Sequence, residues 1–557
     1  MLLWLRNYRA QWLSGDLSAG FIVVLMMVPQ GMAYAVVAGL PPIIGLYASI
    51  LPALAYALFG SSRVQSVGPM AITSLMTATS LAALAPSGSD LYVAMAAQMA
   101  LISGLVLLLC GLLRLGFLAH FLSRPVLSGF TTGAALLIGA SQFKALMGDS
   151  LTTLNLPGAS IGLLSLLALW LAKERLAPLL GKLGLSLKRA AMLSKLAPVL
   201  VLAVATLSVW QLDLQHAGVV VLGPVAQGLP SLGLPSLDFA QLQSLLSSSL
   251  LIAFIVFLSS QSAAVTLAQK RGERINSNSE LLGLGAANLA SAFSGSFAVT
   301  GSISRSAVNY AAGANTPLAS VISACLMALL LCVPTGWLAL LPLPALAASI
   351  IIAVLGMLDF DTPRQAWRFD RSDAVAWLAT LAGVLLLGVE SGVIIGVMLS
   401  LGSLIWRASQ PHIAVLGRIA GSEHFRNIKR HTAQTHPQIL LLRIDSGMFF
   451  GNAELISDRV LESLQAETQH VVLVLSAVNL IDTSALYSLA ELNRNLLNRS
   501  IKLHLAEVKG PLMDRLLQSD LLLKPLSGQV FLSAAVALDS LSAELQDGKV
   551  QGLHGGQ

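Results

Sequence analysis

Arg305 sits in Gly301-Ser302-Ile303-Ser304-Arg305-Ser306, between apolar runs long enough to cross a lipid bilayer. An unpaired cation at bilayer depth costs about 3 kcal/mol or more, so such a group faces a protein interior or a wet cavity and meets a partner there. No acidic residue stands close to it in sequence, and no other charge reads as placed near mid-membrane. A bound anion is the natural candidate for the missing partner. Ser302 and Ser304 suit a helix N-cap or a hydroxyl ligand. A second break, Ser66-Val67-Gly68-Pro69, opens another short apolar segment, and Pro69 fits a first helical position, where its missing N–H would be unpaired anyway. Each helix start offers free N–H groups and about half a positive charge. Two such starts facing one another, with Arg305 between them, would form an anion site. The plainer reading makes both breaks ordinary kinks, with Arg305 snorkelling or bonded to backbone carbonyls. Two matched breaks and one lone cation favour the anion site.

The elements that must position these residues are membrane spans. Of 557 residues, 55% are hydrophobic and 11% charged, against about 25% charged in a soluble domain. Mean hydropathy is +0.77. Fourteen candidate segments follow: 17–39, 42–59, 69–84, 91–113, 125–143, 161–177, 196–212, 241–268, 280–296, 304–314, 316–333, 336–357, 373–388 and 391–409. With the N-terminus inside, 18 of the 20 Lys and Arg residues before position 411 fall in inner loops, Lys188, Arg189 and Lys195 among them. Lys144 falls outside and Arg305 within the membrane, while the outer loops 213–240 and 334–344 carry no Lys or Arg. The two broken segments are the third and the tenth. Seven segments apart, they have opposite orientation, the pattern of an inverted-repeat transporter.

Charge divides the chain. Residues 1–410 hold 20 basic and 13 acidic side chains, and residues 411–557 hold 13 and 14. The basic balance therefore belongs to loops at a membrane surface, and no basic stripe interleaved with aromatics points to nucleic acid. Cys110, Cys325 and Cys332 lie in apolar runs and read as small core residues, without disulfide or metal spacing. The first apolar segment is too long for a signal peptide and has no convincing cleavage site. No nucleophile–base pair or phosphate loop points to an enzyme, and no cofactor or metal is expected.

After Trp406-Arg407 the pattern changes to strand candidates (438–444, 471–475, 502–508) alternating with helix candidates (453–464, 484–497, 511–518). This is a small α/β domain. The expected organisation is a membrane domain over 1–410, a cytoplasmic domain over 411–545 and a polar tail over 546–557. His412, His424, His431, His436 and His470 read as surface residues, Glu280 as the cap of the ninth segment, and Asn309 and Asn315 as backbone caps or bridges.

The chain resembles the sulphate permease (SulP) family of anion transporters. The matching stretches are Val28-Pro29-Gln30-Gly31-Met32-Ala33-Tyr34-Ala35, Gly39-Leu40-Pro41-Pro42-Ile43-Ile44-Gly45-Leu46-Tyr47, Ser66-Val67-Gly68-Pro69, Asn278-Ser279-Glu280-Leu281, Gly301 through Asn309, and Gly313-Ala314-Asn315-Thr316-Pro317-Leu318. The C-terminal part resembles a STAS domain, with Ile481-Asp482-Thr483-Ser484-Ala485-Leu486 at that fold's strand-to-helix turn. The resemblance implies an α-helical multi-pass membrane protein of about fourteen segments in a seven-plus-seven inverted repeat, followed by a cytoplasmic STAS domain. It implies an elevator movement of a core against a gate, within a homodimer. It places substrate against Gln30 and Tyr34 of helix one, Gly68, Pro69, Met70 and Ala71 of helix three, and Ser302, Ser304 and Arg305 of helix ten.

One departure stands out. Where many bacterial and plant members carry a glutamate in helix eight, alignment on Thr266-Leu267-Ala268 puts Ser259. Proton symport through that carboxylate is therefore not expected, and Ser259, Ser260, Gln261 and Ser262 become candidate hydrogen-bond donors to the anion, with helix–helix packing by small polar residues the plainer account. Thr483 and Ser484 stand where soluble relatives are phosphorylated, and helix capping by Asp482 or Thr483 is the plainer account.

The expected function is secondary active or facilitated transport of inorganic or small organic anions: sulphate-type, with chloride, bicarbonate and dicarboxylate also compatible. An anion channel or a proton- or sodium-coupled anion symporter is the alternative. A nucleobase carrier would hold a neutral ring with carboxylates in helices eight and ten, which Ser259 and Arg305 oppose. A tethered signalling protein would show no flux. The expected partners are the anion, the lipid bilayer, a second copy of the chain and a regulatory protein binding the STAS domain. The expected location is a bacterial inner membrane with both termini in the cytoplasm.

Overall fold

The computed structural model describes all residues except 1–2, 7, 121–122, 148–154, 183–189, 191–193, 195, 224–226, 236–237, 335, 520–521 and 555–557. Lys188, Arg189 and Lys195, counted above as inner-loop cations, lie outside the described residues. The chain forms two compact units, 1–400 and 401–557.

The first unit is helical, and each of the fourteen expected segments contains a helix. They are α1 (Leu13–Val37), α2 (Pro42–Phe59), α3 (Ala71–Leu81), α4 (Asp90–Leu112), α5 (Arg124–Leu146), α6 (Leu156–Leu171) and α7 (Ala197–Gln211). After them come α8 (Phe239–Arg271), α9 (Ser277–Phe293), α10 (Ile303–Ala311), α11 (Leu318–Cys332), α12 (Leu343–Leu355), α13 (Arg371–Leu387) and α14 (Val389–Ser409). Among the described residues, seven helical stretches are long and apolar enough to cross a bilayer by themselves: Ala10–Val37, Pro42–Phe59, Asp90–Leu112, Arg124–Leu146, Leu156–Lys182, Gln241–Arg271 and Ser391–Ser409. α3 and α10 are short, and both are led in by short strands, β1 (Val67–Gly68) and β2 (Thr300–Gly301).

Local chemistry explains the helix starts. Ser89 caps α4 by accepting from the Tyr92 N–H, Asn155 caps α6 through Gly158 with Pro157 in its first turn, and Asp370 caps α13 through Ser372. α9 is capped by Asn276, not by Glu280 as the sequence suggested. Glu280 is buried and accepts hydrogen bonds from the Tyr56 hydroxyl (2.7 Å), the Ser61 hydroxyl (2.7 Å) and the backbone N–H groups of Ser61 and Ser62. It ties the end of α2 to α9. Asp16, likewise buried, holds the start of α1 to the start of α11 through Asn315 N–H (2.6 Å) and the Thr316 hydroxyl (2.7 Å). Apolar area drives little helix pairing in lipid, so close approach depends on small residues. A Cβ on Gly104 of α4 would lie 3.1 Å from the Gly285 carbonyl of α9, and one on Gly31 of α1 would lie 3.0 Å from the Gly45 carbonyl of α2.

Cys325 and Cys332 are exposed on α11 and are not the core residues expected from their apolar neighbours, whereas Cys110, partly buried, packs against the core. In a membrane helix an apolar neighbourhood is equally the mark of the lipid face.

The second unit carries a six-stranded sheet in the order β4-β3-β5-β6-β7-β8. Its strands are β3 (Ile413–Arg418), β4 (Phe425–Asn427), β5 (Ile439–Ile444), β6 (His470–Val474), β7 (Lys502–Ala506) and β8 (Val530–Phe531). β5 through β8 are parallel, and β3 is antiparallel to both β4 and β5. The connecting helices are α15 (Ala453–Glu462), α16 (Thr483–Leu497) and α17 (Gly510–Leu517), followed by α18 (Ala534–His554). β3, β4, β8 and the start of α18 add to the sequence reading. α18 also carries helix through residues 546–554, read above as a polar tail. His470 is buried in β6 and is not a surface residue: every position of that strand is buried, so strand alternation gives it no outward face.

Candidate functional site

β1 and β2 pair antiparallel, Val67 with Gly301 and Gly68 with Thr300, joining stretches more than 230 residues apart. Flanking bonds extend the pair. Ser302 N–H donates to the Ser66 carbonyl (3.0 Å), and Ser66 N–H donates to the Ser306 hydroxyl (2.9 Å). Gln65 donates from Nε2 to the backbone and hydroxyl oxygens of Ser260 in α8, and Thr300 donates to the Val256 carbonyl there (3.0 Å). The crossing is thus fixed to α8 on both strands.

Leaving this crossing, the chain enters α3 after Met70 and α10 after Ser302. The Ser302 hydroxyl accepts from Arg305 N–H (3.4 Å) and lies 3.2 Å from the Ser304 hydroxyl. The Met70 carbonyl takes the Thr73 and Ser74 hydroxyls (3.0 and 2.9 Å), which closes the first turn of α3. α1 passes beside both starts with Pro29 inside it, so one backbone hydrogen bond is missing there. Gln30 and Tyr34, four residues apart, share one face of α1.

These elements enclose a cavity of about 790 Å³. Its wall includes Gln30, Tyr34, Met70, Ala71, Ser259, Ser302 and Ser304. Seven of the expected residues therefore meet at one space. Gly68, Pro69 and Arg305 are not part of the lining. Arg305 is 1% exposed, and its Nη1 donates to the Pro69 carbonyl at 2.7 Å. That bond is the one the plainer reading assigned to it. Its Nε and Nη2 groups have no hydrogen-bond partner, and among the described residues no carboxylate stands within ion-pair distance of it. The guanidinium is therefore a buried cation immediately behind the cavity wall, held by one neutral carbonyl. A buried charge so held is stabilised further by any negative charge brought to the wall.

Ser262, named with Ser259 as a candidate donor in helix eight, also lines the wall, whereas Thr131, Lys173, Ser349 and Asp359 are wall residues that the sequence did not single out. Lys173 and Asp359 lie at segment ends, where charge is ordinary in sequence. Asp359 is held by the Ser128 (2.7 Å) and Thr362 (2.6 Å) hydroxyls. Gln65 was also missed, its only signal being a polar residue directly before Ser66. Among the described residues no group of His, Cys, Asp and Glu has metal-binding geometry. In the second unit Thr483 and Ser484 are exposed at the start of α16, which Asp482 caps through Ala485 N–H at 2.8 Å.

Residues 13–380 match the sulfate permease family and residues 430–537 the STAS domain. The chain is 36% identical over 533 residues to sulfate transporter 4.1, chloroplastic, of Arabidopsis thaliana, covering 90% of this chain and 76% of that one. It is 36% identical over 555 residues to a probable sulfate transporter of Mycobacterium tuberculosis, covering 96% of each. Among solved structures, SLC26A9 superposes with a TM-score of 0.88 at 22% identity, over 98% of this chain and 93% of that one. The transmembrane domain of a cyanobacterium bicarbonate transporter, BicA, superposes at 0.60 and 21% identity, over 70% of this chain and 98% of that one.

Proposed function

The chain belongs to the sulfate permease family, and from that premise we propose that it carries a sulfate-type anion across a membrane through the cavity between α3 and α10. The observation that carries the reading is Arg305: a buried guanidinium with two unpartnered N–H groups, directly behind a wall lined with hydroxyls. Ser302, Ser304, Ser259, Tyr34 and Gln30 supply donors that meet an anion directly, and the starts of α3 and α10 add the partial charges of their free N–H groups. Arg305 and Pro69 act from behind. The guanidinium sets a positive potential at the wall, and the Pro69 carbonyl keeps it in place. Gly68 lets the strand pass close to α1, beside Met27. The cavity is larger than a bare oxyanion, so the ion retains part of its water.

Transport proceeds as an elevator movement in which the β1–β2 crossing, α1 and α8 travel together, within a homodimer in a bacterial inner membrane. Both termini lie in the cytoplasm, and the second unit, with Thr483 and Ser484 exposed, receives a regulatory protein. The absence of an acid in α8 supports uncoupled flux or anion exchange over proton symport. Sulfate is the favoured substrate because relatives 36% identical over most of their length are named sulfate transporters.

Uptake of radiolabelled sulfate into proteoliposomes tests this. The expected result is saturable uptake, competed by other small anions and unchanged by a proton or sodium gradient. No flux of any anion, or currents far above carrier turnover, would contradict it.

A further inference from the structure

A second cavity, of about 470 Å³, lies on the other side of α1. Leu25, Pro29 and Met32 form one wall, Leu202, Ala203 and Trp210 of α7 another, and leucines of segment 336–341 close it. Its chemistry is the opposite of the first. No charged side chain lines it. The hydroxyl of Thr206, also on the wall, donates to the Leu202 carbonyl at 2.7 Å and offers nothing further. Apart from the Trp210 indole N–H the lining has no group left to bind water, which is too few partners for an ordered one, and an empty apolar void of this size is costly, so the occupant is apolar.

The open side identifies the occupant. α7 presents Leu200, Val204 and Trp210 outward, each at least 60% exposed, and this surface belongs to a chain built of membrane helices. The cavity is thus continuous with a face that meets lipid chains. We propose that it holds one acyl chain of a bilayer phospholipid, with no charged side chain in the lining to select a headgroup. Pro29 lines both cavities, so a chain seated here packs against the helix that carries Gln30 and Tyr34 on its other face.

The test measures retained lipid and so does not depend on the transport reading. The full chain is reconstituted in palmitoyl-oleoyl-phosphatidylcholine vesicles, extracted in detergent, and its bound phospholipid counted by native mass spectrometry. The wild type should keep one phospholipid per chain. Ala203→Trp, which plugs the cavity from its rim, should keep none, and so should Leu207→Trp, a second plug from a bilayer-exposed position on the same wall. Val204→Trp adds bulk intermediate between the two plugs, outside the lining, and should retain the lipid. Three results would overturn the proposal: no lipid on the wild type, full retention by either plugged variant that purifies folded, or equal loss in Val204→Trp.

Discussion

Among the described residues, Arg305 is a charge without a countercharge. The acids buried in the membrane unit have their own donors: Glu280 takes four hydrogen bonds near α9, and Asp16 is held by Asn315 and Thr316. Solitude of this kind is legible in a sequence, because a lone arginine between two apolar runs needs no structure to be noticed. Its depth is not legible. Standing behind the wall follows from the bond to Pro69, which depends on two stretches far apart in the chain. Ser259 lines the cavity, so Ser259→Glu places a carboxylate beside the expected anion. Sulfate uptake by this variant should fall as pH rises and the carboxylate ionises, whereas the wild type stays flat across the same range. A flat profile in the variant would remove Ser259 from the pathway.

Another residue pair sets a pH dependence outside the membrane. His504 Nδ1 accepts from Gln529 N–H (3.0 Å), so its Nε2–H donates to His470 Nδ1 (3.1 Å), and both rings are neutral. Burial first, then His470 and Lys502, push His504 down to about 4, with Glu544 opposing. An unfolded histidine protonates near 6.5, so between those values the unfolded state binds more protons. The stabilisation is complete above about pH 6.5 and is lost as pH falls toward 4. Hydrogen exchange at β7 in the full chain should quicken, relative to its intrinsic rate, between pH 7 and 5. In His504→Gln the same strand should exchange faster at pH 7 but change less with pH. An equal pH slope in both proteins would exclude the pair.

At the scale of elements, the β1–β2 crossing positions everything else. α3 and α10 are short because each begins at the crossing, and their starts meet at one space because a two-residue ladder joins them. The breaks themselves are readable as Gly-Pro and Gly-Ser. The pairing is not, since nothing local in a two-residue strand specifies its partner. Gly301 shows how tight the crossing is. A Cβ there would collide with Gln65 Nε2 and lie 2.6 Å from Ser260 Oγ, whereas one on Gly68 would meet Met27 Cε at 3.0 Å and nothing closer. Met27 ends in a flexible methyl and can give way. Gly301→Ala should therefore destabilise the crossing by about 1–3 kcal/mol and sharply reduce uptake. Gly68→Ala should keep most of it. Equal activity of the two variants in proteoliposomes would show that the crossing is not rigid.

Across the whole molecule, two units with different chemistry share one chain. The alternation of strand and helix after position 410 was plain from periodicity, while the edge strands β4 and β8 are too short to leave a pattern. In the membrane unit apolar composition announced helices but not which faces meet lipid, as Cys325 and Cys332 show. The cavity gathers the hydroxyls of Ser259, Ser262, Ser302 and Ser304 beside two helix starts, and the proposed anion site rests on that arrangement. The decisive measurement is sulfate uptake by Arg305→Ala and Arg305→Lys in proteoliposomes, with reconstitution matched to the wild type. Loss of the charge should lower the rate at least about tenfold, some 1.4 kcal/mol, and lysine, which keeps the charge without the fixed fork, should fall between. Wild-type uptake in Arg305→Ala would show that the anion never depended on this cation.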